Sequence, residues 1–300
     1  MPCSRIEVRV PASTSNLGPG FDCLGLALQL YNTITLTRSD ERGKFPHGMI
    51  GETTTAFFQR ATGGKIAPFG FDARIEGDIP ISRGLGSSVT VRLGVLMGLA
   101  ELVRDSFPVT REQILTLLIE LEGHPDNAVP SFFGGFAVCA QATGNPADGC
   151  AYTRAAVGPE LCCVTLMPEL RLSTETAREL LPKEVPFRHA VENAQRTARI
   201  AAAFCTGDYA ALRGMFVDHL HQPYRQALIP GFAAILAAGR KAGALGSFLS
   251  GAGSSLMALT LDNVEAISAA MLDAANRHDL PARVIVLQAD NEGAQVVGKD

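Results

Sequence analysis

The run Gly84-Leu85-Gly86-Ser87-Ser88 has the make-up of a site that could grip an anion. Gly84 and Gly86 let backbone N–H groups approach a ligand without interference from a Cβ. Ser87 and Ser88 then open a segment whose apolar residues, Val89, Leu93, Leu96, Met97, Ala100 and Val103, follow helical spacing. The first amides of a helix have no partner within it, and the dipole there favours negative charge. Serine hydroxyls at that point can donate to phosphate or offer oxygen to Mg2+. The same residues also describe an ordinary glycine turn leading into a capped helix, and on their own they leave both readings open. Two familiar phosphate loops are excluded. A Walker loop requires a lysine after its second glycine, and none follows here. A dinucleotide fingerprint requires a third glycine where this chain has Val89.

Several elements must hold such a loop. "IEVRVPAS", "YNTITLT" and "FDARIEG" are short, with alternating or β-branched residues, and predict strands. Gly94 and Gly98, four apart, give the helix after the serines a flat strip for close packing. A second helix is predicted from Thr110, with Gln113 completing a capping box and Ile114, Leu117, Leu118 and Leu121 marking a buried face. Composition changes near "TGNPADG", residues 143–149. Beyond it "ELCCVTLM" reads as a strand, and helices are predicted around 174–181, 188–206, 209–221 and 230–243. The chain then closes as strand, helix and strand, with "SLMALTL", "VEAISAAMLDAANRH" and "ARVIVLQ". Such mixing without strict alternation predicts α+β in two domains, 1–154 and 155–300.

Bulk properties narrow the function classes. Hydrophobic residues are 47% and charged residues 19%, as in a folded globular chain. The net charge is −4 and the basic residues are scattered, which argues against nucleic acid as a partner. Seven cysteines without a C-x-x-C pair support neither a zinc site nor a disulfide framework, so reduced thiols are expected. The N-terminus has no continuous apolar core, and Arg240 and Lys241 interrupt the most apolar later stretch, so no membrane partner and a cytoplasmic location are expected. No G-x-S-x-G elbow supports a hydrolase.

"IPISRGLGSSVTV" resembles the phosphate-binding motif of the GHMP kinases, P-x-x-x-G-L-G-S-S followed by Ala or Gly. Further stretches match in the family's order: "VPASTSNLGPGFDCLGLAL", "EGHPDNAVPSFFGG", "LSTETARELLP", "HQPYRQALIPG" and "FLSGAGSSLMAL". Together they cover about residues 6 to 260 and are similar to the homoserine kinase branch. The resemblance implies an N-terminal domain like ribosomal protein S5 domain 2, a ferredoxin-like C-terminal domain and, commonly, a homodimer. It implies ATP and Mg2+ as cofactors and L-homoserine as the phosphoryl acceptor, with O-phospho-L-homoserine as product for threonine biosynthesis. The same fold acting on another small amino alcohol, such as L-threonine, is one alternative. A non-catalytic protein retaining the pocket is another.

The resemblance also assigns residues. Pro80, Arg83, Gly84, Leu85, Gly86, Ser87 and Ser88 would bind ATP, with Ser88 and Glu122 holding Mg2+. Glu120 rivals Glu122, but two residues apart on one helix they face different directions. Arg178 and Arg225 would bind the substrate carboxylate through guanidinium forks. Asn16 and Asp22 would accept from its ammonium group, although Asn16 could serve the loop backbone and Asp22 could cap a turn. Asn127 would hold the reacting hydroxyl, with Asp126 as candidate base and His124 as a packing residue. Thr174 and Gly251 would line the pocket. Two departures stand out. "ETTTAFFQRA" replaces an Asn-Leu pair near the adenine. Val89, Thr90, Val91 and Arg92 follow the loop where the family has small residues. Arg92 either reaches the phosphates or snorkels to solvent, and the second is the expectation.

Overall fold

A computed structural model describes residues 4–63, 69–141, 143, 145 and 148–300. The first half runs β1 (Arg5–Ser15), β2 (Leu24–Ser39), α1 (Met49–Thr62), β3 (Gly70–Gly77), α2 (Ser87–Leu102), α3 (Arg111–Glu122), α4 (Ala128–Phe133), β4 (Phe136–Gln141) and β5 (Cys150–Ala155). The second runs β6 (Cys162–Pro168), α5 (Thr174–Glu179), α6 (Phe187–Thr206), α7 (Gln222–Arg225), α8 (Phe232–Lys241), β7 (Gly246–Leu249), β8 (Leu256–Thr260), α9 (Val264–Asn276), β9 (Ala282–Leu287) and β10 (Gln295–Lys299). Cys3 and parts of the 143–149 stretch lie outside the described residues. Cys23, Cys139, Cys150, Cys162, Cys163 and Cys205 are free thiols, as expected.

Two sheets result. One has the order β10-β1-β2-β4-β5, with β3 also on β2. The other has the order β7-β8-β6-β9, antiparallel throughout, with α8 and α9 packed on it. This is the ferredoxin-like arrangement expected of the second half. β10 returns to pair with β1, so the last strand belongs to the first sheet. The β1–β2 register shifts between Pro11 and Ala12, where proline lacks a ladder donor.

Ile6, Val8 and Val10 alternate along β1 and are fully buried in the core that contains α2. A Cβ on Gly94 would lie 2.6 Å from Ile34 Cδ1, and one on Gly98 would lie 2.7 Å from Leu36 Cδ1. The flat strip read from the sequence is therefore where α2 meets β2. A second core joins the sheets: Leu24, Leu26 and Phe136 from the first meet Cys163, Met257 and Leu259 from the second. Phe136 stacks on Phe204 of α6 at 4.1 Å.

The Thr110 capping box forms as predicted, with reciprocal bonds to Gln113 of 3.2 and 2.8 Å. The helix predicted over 209–221 does not form. A 3-10 turn spans Tyr209–Leu212, Gly214 then takes φ +80°, and the Asp218 carboxylate accepts from the N–H groups of Leu220, His221 and Gln222. Side-chain capture of those amides competes with the helical ladder. Among the described residues, no helix is long and apolar enough to cross a membrane.

Candidate active site

A cleft of about 430 Å3 draws residues from both halves of the chain. Gly84, Gly86, Ser87 and Ser88 form one wall. Thr90 N–H is the first amide of α2 to bond back, to Gly86 C=O at 3.0 Å. The amides of Ser87, Ser88 and Val89 therefore precede the helix's own ladder. Gly84 and Gly86 hold φ of +73° and +68°. A Cβ on Gly84 would lie 2.0 Å from Ser250 O, and one on Gly86 would lie 2.4 Å from Ser13 Oγ. Both glycines are thus dictated by close approach of other chain segments as well as by backbone conformation.

Ser88 Oγ donates to Glu122 Oε2 at 2.8 Å. The Glu122 side chain is 8% exposed, and Arg92 Nε lies 2.9 Å from its other oxygen without aligning as a hydrogen bond. Glu120 points elsewhere, paired with Arg60 near the surface. The expectation that Arg92 snorkels to solvent is overturned. Its side chain is only 13% exposed, because the carboxylate at the end of α3 draws it inward.

The opposite wall carries charges suited to a zwitterion. Arg178 donates to both Asp22 oxygens, at 3.0 and 2.7 Å. Arg225 is buried; its Nε donates to Ala177 O at 3.1 Å, and its Nη1 lies 3.2 Å from His221 Nδ1 and 3.3 Å from Gly251 O. Burial first, then the charge of Arg178, pulls its pKa down to about 10, which leaves it cationic at neutral pH. His221 Nε2 donates to Gly18 O at 2.8 Å, so the ring is a neutral acceptor towards Arg225. Burial is the main reason its pKa is lowered. Asn16 takes the backbone alternative: Nδ2 donates to Gly251 O at 3.0 Å and Oδ1 accepts from Asp22 N–H at 3.0 Å.

Asn127 joins the walls. Its Oδ1 accepts from Ser13 Oγ and its Nδ2 donates to Ser15 Oγ, both at 2.9 Å, while Ser131 donates to Ser13 at 3.0 Å. Asp126 is buried, with Oδ1 2.8 Å from His124 Nδ1. Burial opposes charge on His124, but the field of Asp126 and this hydrogen bond outweigh it and raise the imidazole pKa. His124 sits mostly buried in the loop between α3 and α4, as expected of a packing residue, and there it pairs with Asp126 at the cleft.

Asn16, Asp22, Arg83, Glu122, Asp126, Asn127, Thr174, Arg178, Arg225 and Gly251 all line this cleft with the glycine loop. Pro80 and Leu85 do not; Leu85 is buried in the core beneath the loop. Sequence reasoning passed over Phe21, which stacks on His221 at 5.2 Å and lies under both guanidinium groups, 5.4 Å from Arg178 and 5.3 Å from Arg225. It also passed over Ser13 and Ser15, whose two-residue spacing on β1 puts both hydroxyls on the Asn127 side. Met49, Val91 and Leu121 add an apolar side to the cleft.

A family model described as GHMP kinases N terminal domain matches residues 50–135, and one described as GHMP kinases C terminal matches residues 200–277. The chain is 35% identical to a homoserine kinase of Clostridium botulinum (strain Alaska E43 / Type E3), over 98% of this chain and 99% of that protein. The chain belongs to the GHMP kinases. A homoserine kinase of Aquifex aeolicus (strain VF5) is 36% identical, with 97% of this GHMP kinase and 99% of that protein covered. The crystal structure of a homoserine kinase from Cytophaga hutchinsonii ATCC 33406 matches it with a TM-score of 0.86 at 25% identity, covering 98% of each chain. An L. major mevalonate kinase in complex with R-mevalonate has a TM-score of 0.66 at 16% identity, over 96% of this chain and 95% of that one, and shows the shared fold alone. The two-domain fold expected of a GHMP kinase is the fold found.

Proposed function

We propose that this GHMP kinase transfers the γ-phosphoryl group of ATP to the side-chain hydroxyl of L-homoserine, giving O-phospho-L-homoserine and ADP. The observation that carries this reading is the Asp22–Arg178 pair facing the Ser87–Ser88 loop across one cleft. In the free protein these two charges satisfy each other. An amino acid's ammonium and carboxylate can take over as their partners, with Arg225 supplying a second guanidinium. The cleft thus provides for both ends of a small zwitterion and, at the loop, for a polyanion.

Phosphoryl transfer asks mainly for positioning and charge neutralisation. The amides of Ser87, Ser88 and Val89 and the Arg83 guanidinium would meet the phosphates. Asn127, its carboxamide oriented by Ser13 and Ser15, would steer the substrate hydroxyl. That oxygen forms the new bond to phosphorus as the bond to ADP breaks, and Asp126 would accept its proton. Ser88 Oγ and Glu122 present hard oxygen donors 2.8 Å apart, which suits Mg2+. Among the described residues no cluster of three or more His, Cys, Asp or Glu competes as a metal site. Bound there, Mg2+ would supply positive charge against the phosphates. Met49, Val91 and Leu121 would face the nucleobase. The proposal extends to a cytoplasmic homodimer serving threonine biosynthesis, with residues 1–154 as the nucleotide-binding domain, completed by the returning strand β10, and the rest of 155–300 as its partner domain.

The deciding experiment incubates purified protein with Mg-ATP and L-homoserine and identifies the product by mass spectrometry. Phosphohomoserine should form, with kcat/KM for homoserine well above that for L-threonine. A preference for threonine would reassign the substrate. Binding of both ligands without turnover would make the chain a binding protein.

A further inference from the structure

Arg92 is the cation of the cleft that the proposed function leaves without a task. Of the other guanidinium groups, Arg178 is held by Asp22 and Arg225 by Ala177, His221 and Gly251, while Arg83, with Nη1 on Pro168 O and a buried Nε that has no acceptor, is already assigned to the phosphates. Arg92 is enclosed, yet its Nε–H has no aligned acceptor although Glu122 lies 2.9 Å away. Its second partner, Glu52, is 3.7 Å distant and largely exposed. Ser88 and Arg92 are one helical turn apart on one face of α2, and each touches a different oxygen of the same Glu122 carboxylate. A phosphate held at Ser88 is therefore within reach of the Arg92 fork. A Walker loop places a lysine at its phosphates. This loop has no lysine; Arg83 precedes it and Arg92 follows it one turn into α2.

Resting on the kinase reading above, we propose that Arg92 is a nucleotide-binding residue: it holds Glu122 in the free enzyme and turns its guanidinium to the terminal phosphate of bound ATP. The exchange is local. The nucleotide's terminal phosphate, more highly charged than a single carboxylate, takes the guanidinium from Glu122 with no metal ion required.

Calorimetric titration with ATP and AMP in EDTA tests this on the wild type, Arg92→Met, Arg92→Lys, Glu122→Gln and the Glu122→Gln/Arg92→Met double variant. Arg92→Met should lose about tenfold in ATP affinity, as one charged hydrogen bond predicts, and nothing for AMP. Arg92→Lys should recover most of that loss. The loss should persist in the Glu122→Gln background. Unchanged ATP affinity, equal losses for ATP and AMP, or a loss that vanishes with Glu122→Gln would each overturn the assignment; the last would mean that Arg92 only neutralises the carboxylate. Should Arg92→Met fail to fold by circular dichroism, Arg92→Gln must show the same ATP-selective loss or the assignment falls. Absence of ATP binding and homoserine turnover in the wild type would instead sink the kinase reading itself.

Discussion

Arg178 and Arg225 should separate under the same substitution, because one is half-exposed and the other is buried. Arg178 is 37% exposed on its side chain and its partner Asp22 is 35% exposed. An ion pair at that exposure is worth about 0–1 kcal/mol, so Arg178→Met should barely alter unfolding. Arg225 is 2% exposed, and its removal strands Ala177 O and His221 Nδ1 in the interior. Breaking such a buried charged network costs about 3–5 kcal/mol. Both variants should lose homoserine, since each removes a guanidinium from the carboxylate pocket. A lost charged fork of about 3 kcal/mol corresponds to roughly a hundredfold rise in homoserine KM. Urea denaturation and steady-state kinetics on the two variants give the four numbers needed. The expected pattern is a shared KM defect and a stability defect confined to Arg225→Met. If Arg178→Met unfolds as readily as Arg225→Met, or if both retain the wild-type KM, the account of this wall is wrong.

Four further outcomes are expected. Glu122→Gln should lower kcat by about a hundredfold, the scale of one lost electrostatic contact in a reacting site, while Glu120→Gln should leave kinetics unchanged; equal effects in a spectrophotometric ADP-release assay would count against the Ser88–Glu122 pair. Gly86→Ala places a Cβ 2.4 Å from Ser13 Oγ at φ +68°, so left-handed strain plus loss of the Ser13 bonds should lower the unfolding free energy by about 2–3 kcal/mol, read by chemical denaturation. Asp126→Asn should reduce turnover, and near-wild-type kcat with lowered stability would make Asp126 structural. Arg188 first, then His219, holds the Glu192 carboxyl at about 2, below its ordinary 4.5. Its stabilising contribution is therefore complete above pH 4.5 and lost as pH falls towards 2, so Glu192→Gln should flatten the dependence of Tm on pH in that window.

What was legible in the sequence was local. The two-residue alternation of Ile6, Val8 and Val10, the Thr110–Gln113 box and the Gly94–Gly98 strip each act within one element, and each appears where predicted. The cleft residues were legible through motifs, because their spacing survives in the linear chain. What was missed depends on partners far away in sequence. Strand β7 is four residues long and fully buried, with no alternation to mark it. The 209–221 segment has helix-forming residues, but Asp218 captures its amides where the chain turns towards His221. Phe21 is a lone aromatic in a glycine-rich loop of the linear chain, and only the fold brings Arg178 and Arg225 over its ring. Arg92 was misjudged because helical spacing gives a face but not what that face meets.

Gly251 shows why the nucleotide and substrate walls form one site. Its N–H donates to Ser15 O at 3.2 Å, and its carbonyl accepts from Asn16 Nδ2 and Arg225 Nη1. One residue earlier, Ser250 Oγ donates to Gly84 O at 2.6 Å and lies 2.8 Å from Thr14 Oγ1. Ser255 N–H reaches Arg83 O at 3.1 Å. The glycine-rich turn between β7 and β8 therefore clasps β1, the loop ahead of α2 and the Arg225 guanidinium together. None of these bonds requires a ligand. The turn's own glycine is dictated by its φ of +55°, while Gly84 is dictated by the approach of Ser250. Three motifs far apart in sequence thus share one mechanical joint. A displacement of the turn moves the anion loop and the carboxylate fork at once, and correct distance between phosphate donor and acceptor is what a positioning enzyme has to maintain.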